Sequence, residues 1–137
     1  MALDGEDLAV LSSYVQDAVV KIGEIRWLRR ERRLILALNR FVWEEAEAGS
    51  GPFERRRAAL HFDRIVSVQS KGVALDDVGA VLELLAVVFE PGEEPSGTIE
   101  FAFAGGGTLR ATVECVEGQL TDLGAAWTTA KKPEHKA

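Results

Sequence analysis

A histidine and an aspartate stand two positions apart in the block ALHFDR. On a β-strand such residues share a face, so His61 and Asp63 would point the same way, as a general base and its orienting carboxylate do. They would still need a nucleophile or a metal ion. Cys115 is the one thiol of the chain, and its alternation with the apolar residues before it predicts a buried side chain that behaves as a small hydrophobe.

Metal and phosphate sites lack their usual motifs. His135 is far from His61 and stands in a polar C-terminal segment, and one cysteine with two distant histidines does not make a zinc site. The triplet Gly105 to Gly107 precedes a strand pattern and has no following Lys-Ser or Lys-Thr pair. It therefore predicts a turn and not a phosphate loop. We expect no metal and no cofactor.

Ten arginines lie between Arg26 and Arg64, eight of them in the two bunches RWLRRERR and ERRR. A guanidinium group can hold a carboxylate or phosphate through two parallel hydrogen bonds. If Arg32 to Trp43 is one strand, its ends are about 35 Å apart, so the two bunches cannot form one surface unless the strand bends or a second subunit joins them. Acidic neighbours such as Glu31 and Glu54 are close enough in sequence to neutralise the arginines.

Composition predicts one soluble domain over residues 1–127 and a disordered polar tail over 128–137. The chain has 137 residues, 47% of them hydrophobic, enough for a core without disulfides. One cysteine, no secretory signal pattern and no long apolar segment favour the cytoplasm and no membrane. The net charge of −6 argues against a nucleic-acid partner. Residues 1–71 hold 12 basic and 11 acidic residues, and the remainder 4 and 11.

Hydrophobic periodicity predicts a helix followed by strands. The helix covers Gly5 to Gln16. The predicted strands are Ala18 to Ile22, Glu24 to Arg29, Arg32 to Trp43, Arg57 to Ser70, Ala80 to Glu90, and a hairpin around the glycine triplet. The segment Glu44 to Glu54 reads as a loop, and Ala80 to Glu90 is predicted as a strand at least from Leu84. The tryptophans Trp27, Trp43 and Trp127 are expected in the core or at its rim.

The last segment changes period. Val116, Leu120, Leu123 and Trp127 are spaced by four, three and four residues, which predicts one stripe of an amphipathic helix. The fold class is then α+β, with about seven mostly antiparallel strands, a short N-terminal helix and a C-terminal capping helix. The strands would form a curved sheet or a pleckstrin-homology-like barrel. The alternative is an open α+β sandwich with both helices on one face of the sheet.

Four blocks of sequence resemble a known family: EDLAVLSSYVQDAVVKIGEI, LNRFVWE, ERRRAALHFDRIVSV and VECVEGQLTDLGAAW. They look like a small alphaproteobacterial family catalogued as domain of unknown function 2948, over about Leu3 to Trp127. The resemblance implies a cytoplasmic single-domain protein with no assigned activity. It marks as motif positions Asn39, Arg40, Trp43, Arg56, Arg57, His61, Asp63, Arg64, Glu114 and Asp122.

These observations favour a non-enzymatic interaction or adaptor module that binds an unidentified protein partner. A homodimer is compatible with the same pattern. The candidate binding surface consists of Arg55, Arg56, Arg57, His61, Asp63 and Arg64. The alternative is a small anionic-ligand-binding or enzymatic domain that uses His61 and Asp63 with nearby arginines.

Overall fold

A computed structural model describes residues 5–42 and 53–129, which form one helix and six strands. The elements are α1 (Gly5–Val15), β1 (Ala18–Leu28), β2 (Arg33–Phe41), β3 (Phe53–Lys71), β4 (Val81–Pro91), β5 (Gly97–Phe103) and β6 (Thr108–Thr129). Trp43 and most of the predicted loop from Glu44 to Glu54 lie outside the described residues, as do 130–137 of the predicted tail.

The six strands close into a barrel in the order β1-β2-β3-β6-β5-β4. Every neighbouring pair is antiparallel, including the closing pair of β1 and β4. The predicted antiparallel strands and N-terminal helix are therefore confirmed. The strands differ greatly in length, and β3 and β6 extend well beyond their shorter neighbours.

The side chains at alternate positions of the strands point inward and fill the barrel. Leu34, Leu36 and Leu38 of β2 are fully buried, and Phe62 meets Phe101 edge to face with ring centroids 5.8 Å apart. The helix α1 precedes β1 directly, packs against β4, and adds its own buried side chains to the core. It covers the end of the barrel at which β1 begins, called here the helix end. No helix in the described part is both long and apolar enough to cross a membrane.

The predicted break at Gly23 is wrong, because β1 is one strand with a bulge. Its register against β2 shifts between Val20 and Ile25. The backbone around Gly23 instead continues its pairing through the loop before β4, since the Gly23 amide donates to the Val78 carbonyl at 3.0 Å. A bulge keeps a strand continuous while it changes the local twist. The count is therefore six strands among the described residues and not seven.

The predicted C-terminal helix is also wrong, because β6 continues through that segment to Thr129. The predicted likeness to a pleckstrin-homology barrel depended on that closing helix, and the structure has a strand in its place. The cause is a bulge: Val113 pairs with Ile65 while Glu117 pairs with Asp63, which leaves extra β6 residues opposite Arg64. The inward set changes phase at this point, and Val116 is buried. Val116 and Leu120 follow the new phase, but Leu123 is 50% exposed and a second register shift falls between Asp122 and Ala126, so the spacing of four, three and four is not one buried stripe.

The same bulge corrects the prediction for Cys115. The thiol is half-buried, and not a core side chain, because the change of phase comes just before it. The glycine turn is confirmed between β5 and β6, where Gly105 and Gly106 have φ of 90° and 94°. Trp27 packs partly buried against the core, as predicted. The side chain of Trp127 lies outside the described part.

Candidate functional site

Two arginines share one aspartate at the helix end of the barrel. Arg40 donates from Nε and Nη2 to the two carboxylate oxygens of Asp122, at 2.8 and 3.0 Å. Arg56 lies opposite Arg40 on β3, and its Nη1 is 3.8 Å from Asp122 Oδ2. The hydrogen bonds from Arg40, followed by its positive charge and that of Arg56, hold the pKa of Asp122 below its ordinary value against the opposing effect of burial. Arg40 is 4% exposed, so this pair ties β2 to β6 inside the barrel mouth.

Arg55 turns toward the junction of α1 and β1. Its Nη1 donates to the carbonyls of Asn39 and Asp17, at 3.3 and 3.5 Å, and its guanidinium lies 5.8 Å from the centroid of the Phe41 ring. Burial lowers the pKa of Arg55, and the nearby carboxylates of Asp17 and Glu83 oppose that shift. A cation close behind a helix C-terminus also interacts well with its carbonyls. Arg55 therefore stabilises the junction at which the chain passes from α1 into β1.

Arg57 lies on the outer wall of the barrel. It donates to Glu24 Oε2 on β1 at 2.7 Å and to Asn39 Oδ1 on β2 at 3.4 Å. Three strands are thus joined by one side chain. The pair is half-exposed, and its energetic contribution is at most about 1 kcal/mol.

His61 and Asp63 do share a face of β3, as predicted. Asp63, however, accepts a 2.6 Å hydrogen bond from Arg33 Nε, and His61 Nε2 is 3.9 Å from its other oxygen. The bond and charge of Asp63 raise the pKa of Arg33. These groups lie on the barrel wall, where the opposite residue on β6 is Gln119. The carboxylate is committed to Arg33, which leaves it poorly placed to orient a catalytic histidine.

Two further arginines pair with β6 near the bulge. Arg64 Nε is 3.3 Å from Glu117 Oε2, and Arg32 Nη1 is 2.6 Å from Glu114 Oε1. Both arginines have positive φ, 60° for Arg64 and 53° for Arg32. The Ile65 amide donates to the Arg32 carbonyl at 3.0 Å, so this hydrogen bond holds the β1–β2 turn against β3 next to the β6 bulge.

The predicted binding surface is therefore divided. Arg55 and Arg56 lie at the helix end, whereas Arg64 lies near the middle of β3, opposite the β6 bulge. The length argument concerned the two bunches, and these do lie at opposite ends of β2, which begins at Arg33 and pairs Phe41 with Arg55. The acidic partners of Arg56, Arg57 and Arg64 are residues of other strands and not the sequence neighbours expected to neutralise them. Antiparallel pairing explains this, since it places β1 and β6 beside residues that are distant in sequence.

Sequence reasoning missed a different group of arginines. Within the described ranges, Arg26, Arg29 and Arg30 make no ion pair and no hydrogen bond through their side chains, and all are exposed. Arg29 and Arg30 stand in the turn of residues 29–32, called here the arginine turn, with Glu31 and Arg32. The bunch RWLRRERR is visible in the sequence, but which of its arginines find counter-ions, as Arg32 and Arg33 do, depends on the register of the barrel.

A depression of about 290 Å³ opens beside the arginine turn. Trp27 forms one wall, Arg29 and Arg32 form the rim, and residues 65–68 of β3 form the opposite side. Val66 is 53% exposed there. A second depression of about 600 Å³ lies on the outer face of β3, β6 and β5, where Lys71 and Arg110 are found with Glu100 and neutral polar side chains. No cluster of metal-binding side chains occurs in the part of the chain that the structure describes.

Comparison with known proteins identifies the family. The family model described as protein of unknown function (DUF2948) matches residues 1–135. The chain belongs to the DUF2948 family. No curated protein and no solved structure matches this DUF2948 member.

The motif positions of DUF2948 suggested by the resemblance have structural partners in this fold. Arg40 and Arg56 meet Asp122, and Arg57 meets Asn39. The remaining described motif residues also have partners: His61 with Asp63, Arg64 with Glu117, and Glu114 with Arg32. These contacts join β2, β3, β6 and the turn before β2. The motif therefore describes an ion-pair network that holds the barrel in register.

Proposed function

We propose that this protein is a non-enzymatic binding module whose contact surface is the arginine turn. The observation that carries the proposal is the contrast between two groups of arginines. Arg55, Arg56, Arg57 and Arg64 engage groups of their own chain, whereas Arg29 and Arg30 are exposed in a turn and have no ion pair among the described residues. Exposed guanidinium groups of this kind are suited to a partner that supplies carboxylates.

The adjoining depression adds an apolar component to the surface. Trp27 and Val66 lie beside the charged rim, and tryptophan and arginine are residues that anchor protein interfaces. The favoured partner is a protein with an acidic segment that also carries apolar or β-branched side chains. A cytoplasmic location fits the single cysteine, and the resemblance adds an alphaproteobacterial origin.

Affinity purification from cells of the source organism tests this proposal. The tagged wild type, R29E, R30E and the control K21E are compared by quantitative mass spectrometry. Lys21 is exposed, has no ion pair in the described part, and gives the same change of charge. We expect a partner that the wild type and K21E recover equally and that R29E and R30E lose. R57A should retain that partner. Equal recovery by all variants would exclude the arginine turn as the contact surface.

The alternative is a small-anion site at His61 and Asp63. Arg33 does converge on this pair, but its charge is matched by Asp63. Titration of inorganic phosphate into the protein, followed by the nuclear magnetic resonance signals of the His61 ring, tests it directly. A saturable shift that H61Q removes would favour the alternative.

A further inference from the structure

One strand of the barrel has an edge that no other strand covers. The pairing of β3 with β2 ends at Phe62 and Leu34, because β2 begins at Arg33. Beyond the Ile65 amide bond to Arg32 comes the segment from Val66 to Lys71, in which Val66 falls in a register shift and Ser67 to Lys71 pair only with β6 within the described residues. One side of this segment therefore presents backbone N–H and C=O groups without a strand partner. At about 3.3 Å per residue it is about 20 Å long.

A second edge serves as a comparison. The pairing of β4 with β1 ends at Leu84 and Ala18, so β4 also extends past its neighbour. There α1 packs against the strand, and the Ser12 hydroxyl accepts a 2.9 Å hydrogen bond from the Val87 amide. Pro91, at the end of that strand, has no amide to donate. This edge is covered by the helix and closed by a proline, whereas the β3 edge has neither protection.

Positive charge surrounds the β3 edge. Arg29 lies on the rim of the depression that residues 65–68 line, Arg30 follows it in the turn, and Lys71 ends the strand. In the described part of the chain, none of these cations has an ion pair. Basic residues on an edge normally prevent pairing with similar strands. The same residues attract a strand of opposite charge.

We propose that the β3 edge binds an extended acidic peptide segment of a partner protein as an added β-strand. Main-chain hydrogen bonds to residues 66–71 supply the pairing, as in other cases of strand addition. Alternate side chains of the peptide face the depression beside Trp27, and its carboxylates meet Arg29 and Arg30. This inference rests on the proposed function and specifies the mode of binding and the chemistry of the partner.

The probe is a capped peptide of about eight residues in which glutamate alternates with threonine, a length that spans the edge. Two derivatives carry N-methyl groups on alternate residues, one on the odd set and one on the even set. Only one set can donate to the edge, because successive amides of a strand point to opposite sides. We expect one derivative to bind about tenfold more weakly than the parent and the other to bind within about threefold.

Two protein variants complete the test. V66D places a negative charge at the edge, and V88D is its control because Val66 and Val88 are 53% and 52% exposed on different strands. V66D should weaken peptide binding about tenfold, and V88D should not. The amide resonances of residues 66–71 should shift on titration. Thermal unfolding of both variants verifies that they remain folded.

Several results would overturn the inference. Absence of binding at about 1 mM peptide is one, and an equal loss of affinity for both N-methyl derivatives is another. If a single-stranded oligonucleotide binds the same residues more tightly than the peptide, the ligand of this edge is a polyanion and not an added β-strand. If the protein self-associates and V66D abolishes that association, the β3 edge binds a second copy of this chain and not a partner peptide. If R29E loses the cellular partner while both N-methyl derivatives bind like the parent, the proposed function stands and strand addition fails. If R29E and R30E retain every partner, the proposed function itself fails.

Discussion

Replacement of Asp122 by asparagine should destabilise the barrel far more than its partial exposure suggests. Arg40 makes two hydrogen bonds to this carboxylate, at 2.8 and 3.0 Å, and its side chain is only 5% exposed. Asparagine keeps nearly the same shape but removes the negative charge and one acceptor. The buried guanidinium of Arg40 would then lose the negative charge of its Asp122 contact, and Arg56 would lose the same charge.

The expected loss follows from the burial of the pair. Breaking a fully buried ion pair costs about 3–5 kcal/mol, because a charge is left in a poorly solvated position. The Asp122 side chain is 34% exposed, so water reaches part of the site. The asparagine oxygen also retains one hydrogen bond. We therefore expect a loss of about 2 kcal/mol in the free energy of unfolding, equivalent to a fall of about 7 °C in Tm.

Urea unfolding at neutral pH, followed by circular dichroism, measures the loss. The control is E90Q, the same change of carboxylate to amide in a pair whose atoms are 2.7 Å apart but whose side chains are about half exposed. E90Q should cost less than about 1 kcal/mol. If D122N costs no more than E90Q, the contact between Arg40 and Asp122 is not a stabilising link and the interpretation of the motif is refuted.

Three other outcomes follow from the same structure. The folded state lowers the pKa of Asp122. The ionised carboxylate therefore stabilises the fold above its unfolded pKa of about 3.9, and this contribution disappears as pH falls through the folded value. Urea unfolding should show that D122N loses less stability than the wild type between neutral and acid pH. G118A should cost about 2–3 kcal/mol, because a Cβ would lie 2.8 Å from the His61 carbonyl and closer still to the Phe62 ring, whereas the control G79A, with open space around it, should leave Tm nearly unchanged. R57A should cost less than about 1 kcal/mol in the same urea assay, since its pair with Glu24 is half-exposed; a larger loss would mean that the network on the outer wall is cooperative.

Local pattern predicted most of the strands and could not predict their register. The alternation in β2 and β5 and the glycine turn depend on nearest neighbours, and each was recovered. The end of β6 was not, because its pairing with β3 shifts register opposite Arg64 and again between Asp122 and Ala126. Such shifts are specified by pairing with another strand and not by local pattern.

The candidate site illustrates the same limit. The sequence showed where arginines are dense but not which of them have partners. Arg40 and Asp122 are 82 positions apart, and only the closed barrel brings them together. Sequence reasoning therefore favoured Arg55, Arg56 and Arg57, which are engaged, over Arg29 and Arg30, which have no ion pair among the described residues. The split between the two bunches was predicted correctly, because it depends only on the length of a strand.

The ion-pair network and the proposed peptide site are consequences of one arrangement. The turn before β2 is held by the bond from Arg32 to Glu114 and by the Ile65 amide, which donates to the Arg32 carbonyl. These contacts fix where β2 begins and therefore where the β3 edge becomes uncovered. A longer β1–β2 hairpin would pair with Val66 and the residues after it and close the edge. The backbone at Arg32 and Arg64 is strained, at a cost of about 1–3 kcal/mol per residue. It is thus retained at the point where β3 continues without β2 as its neighbour.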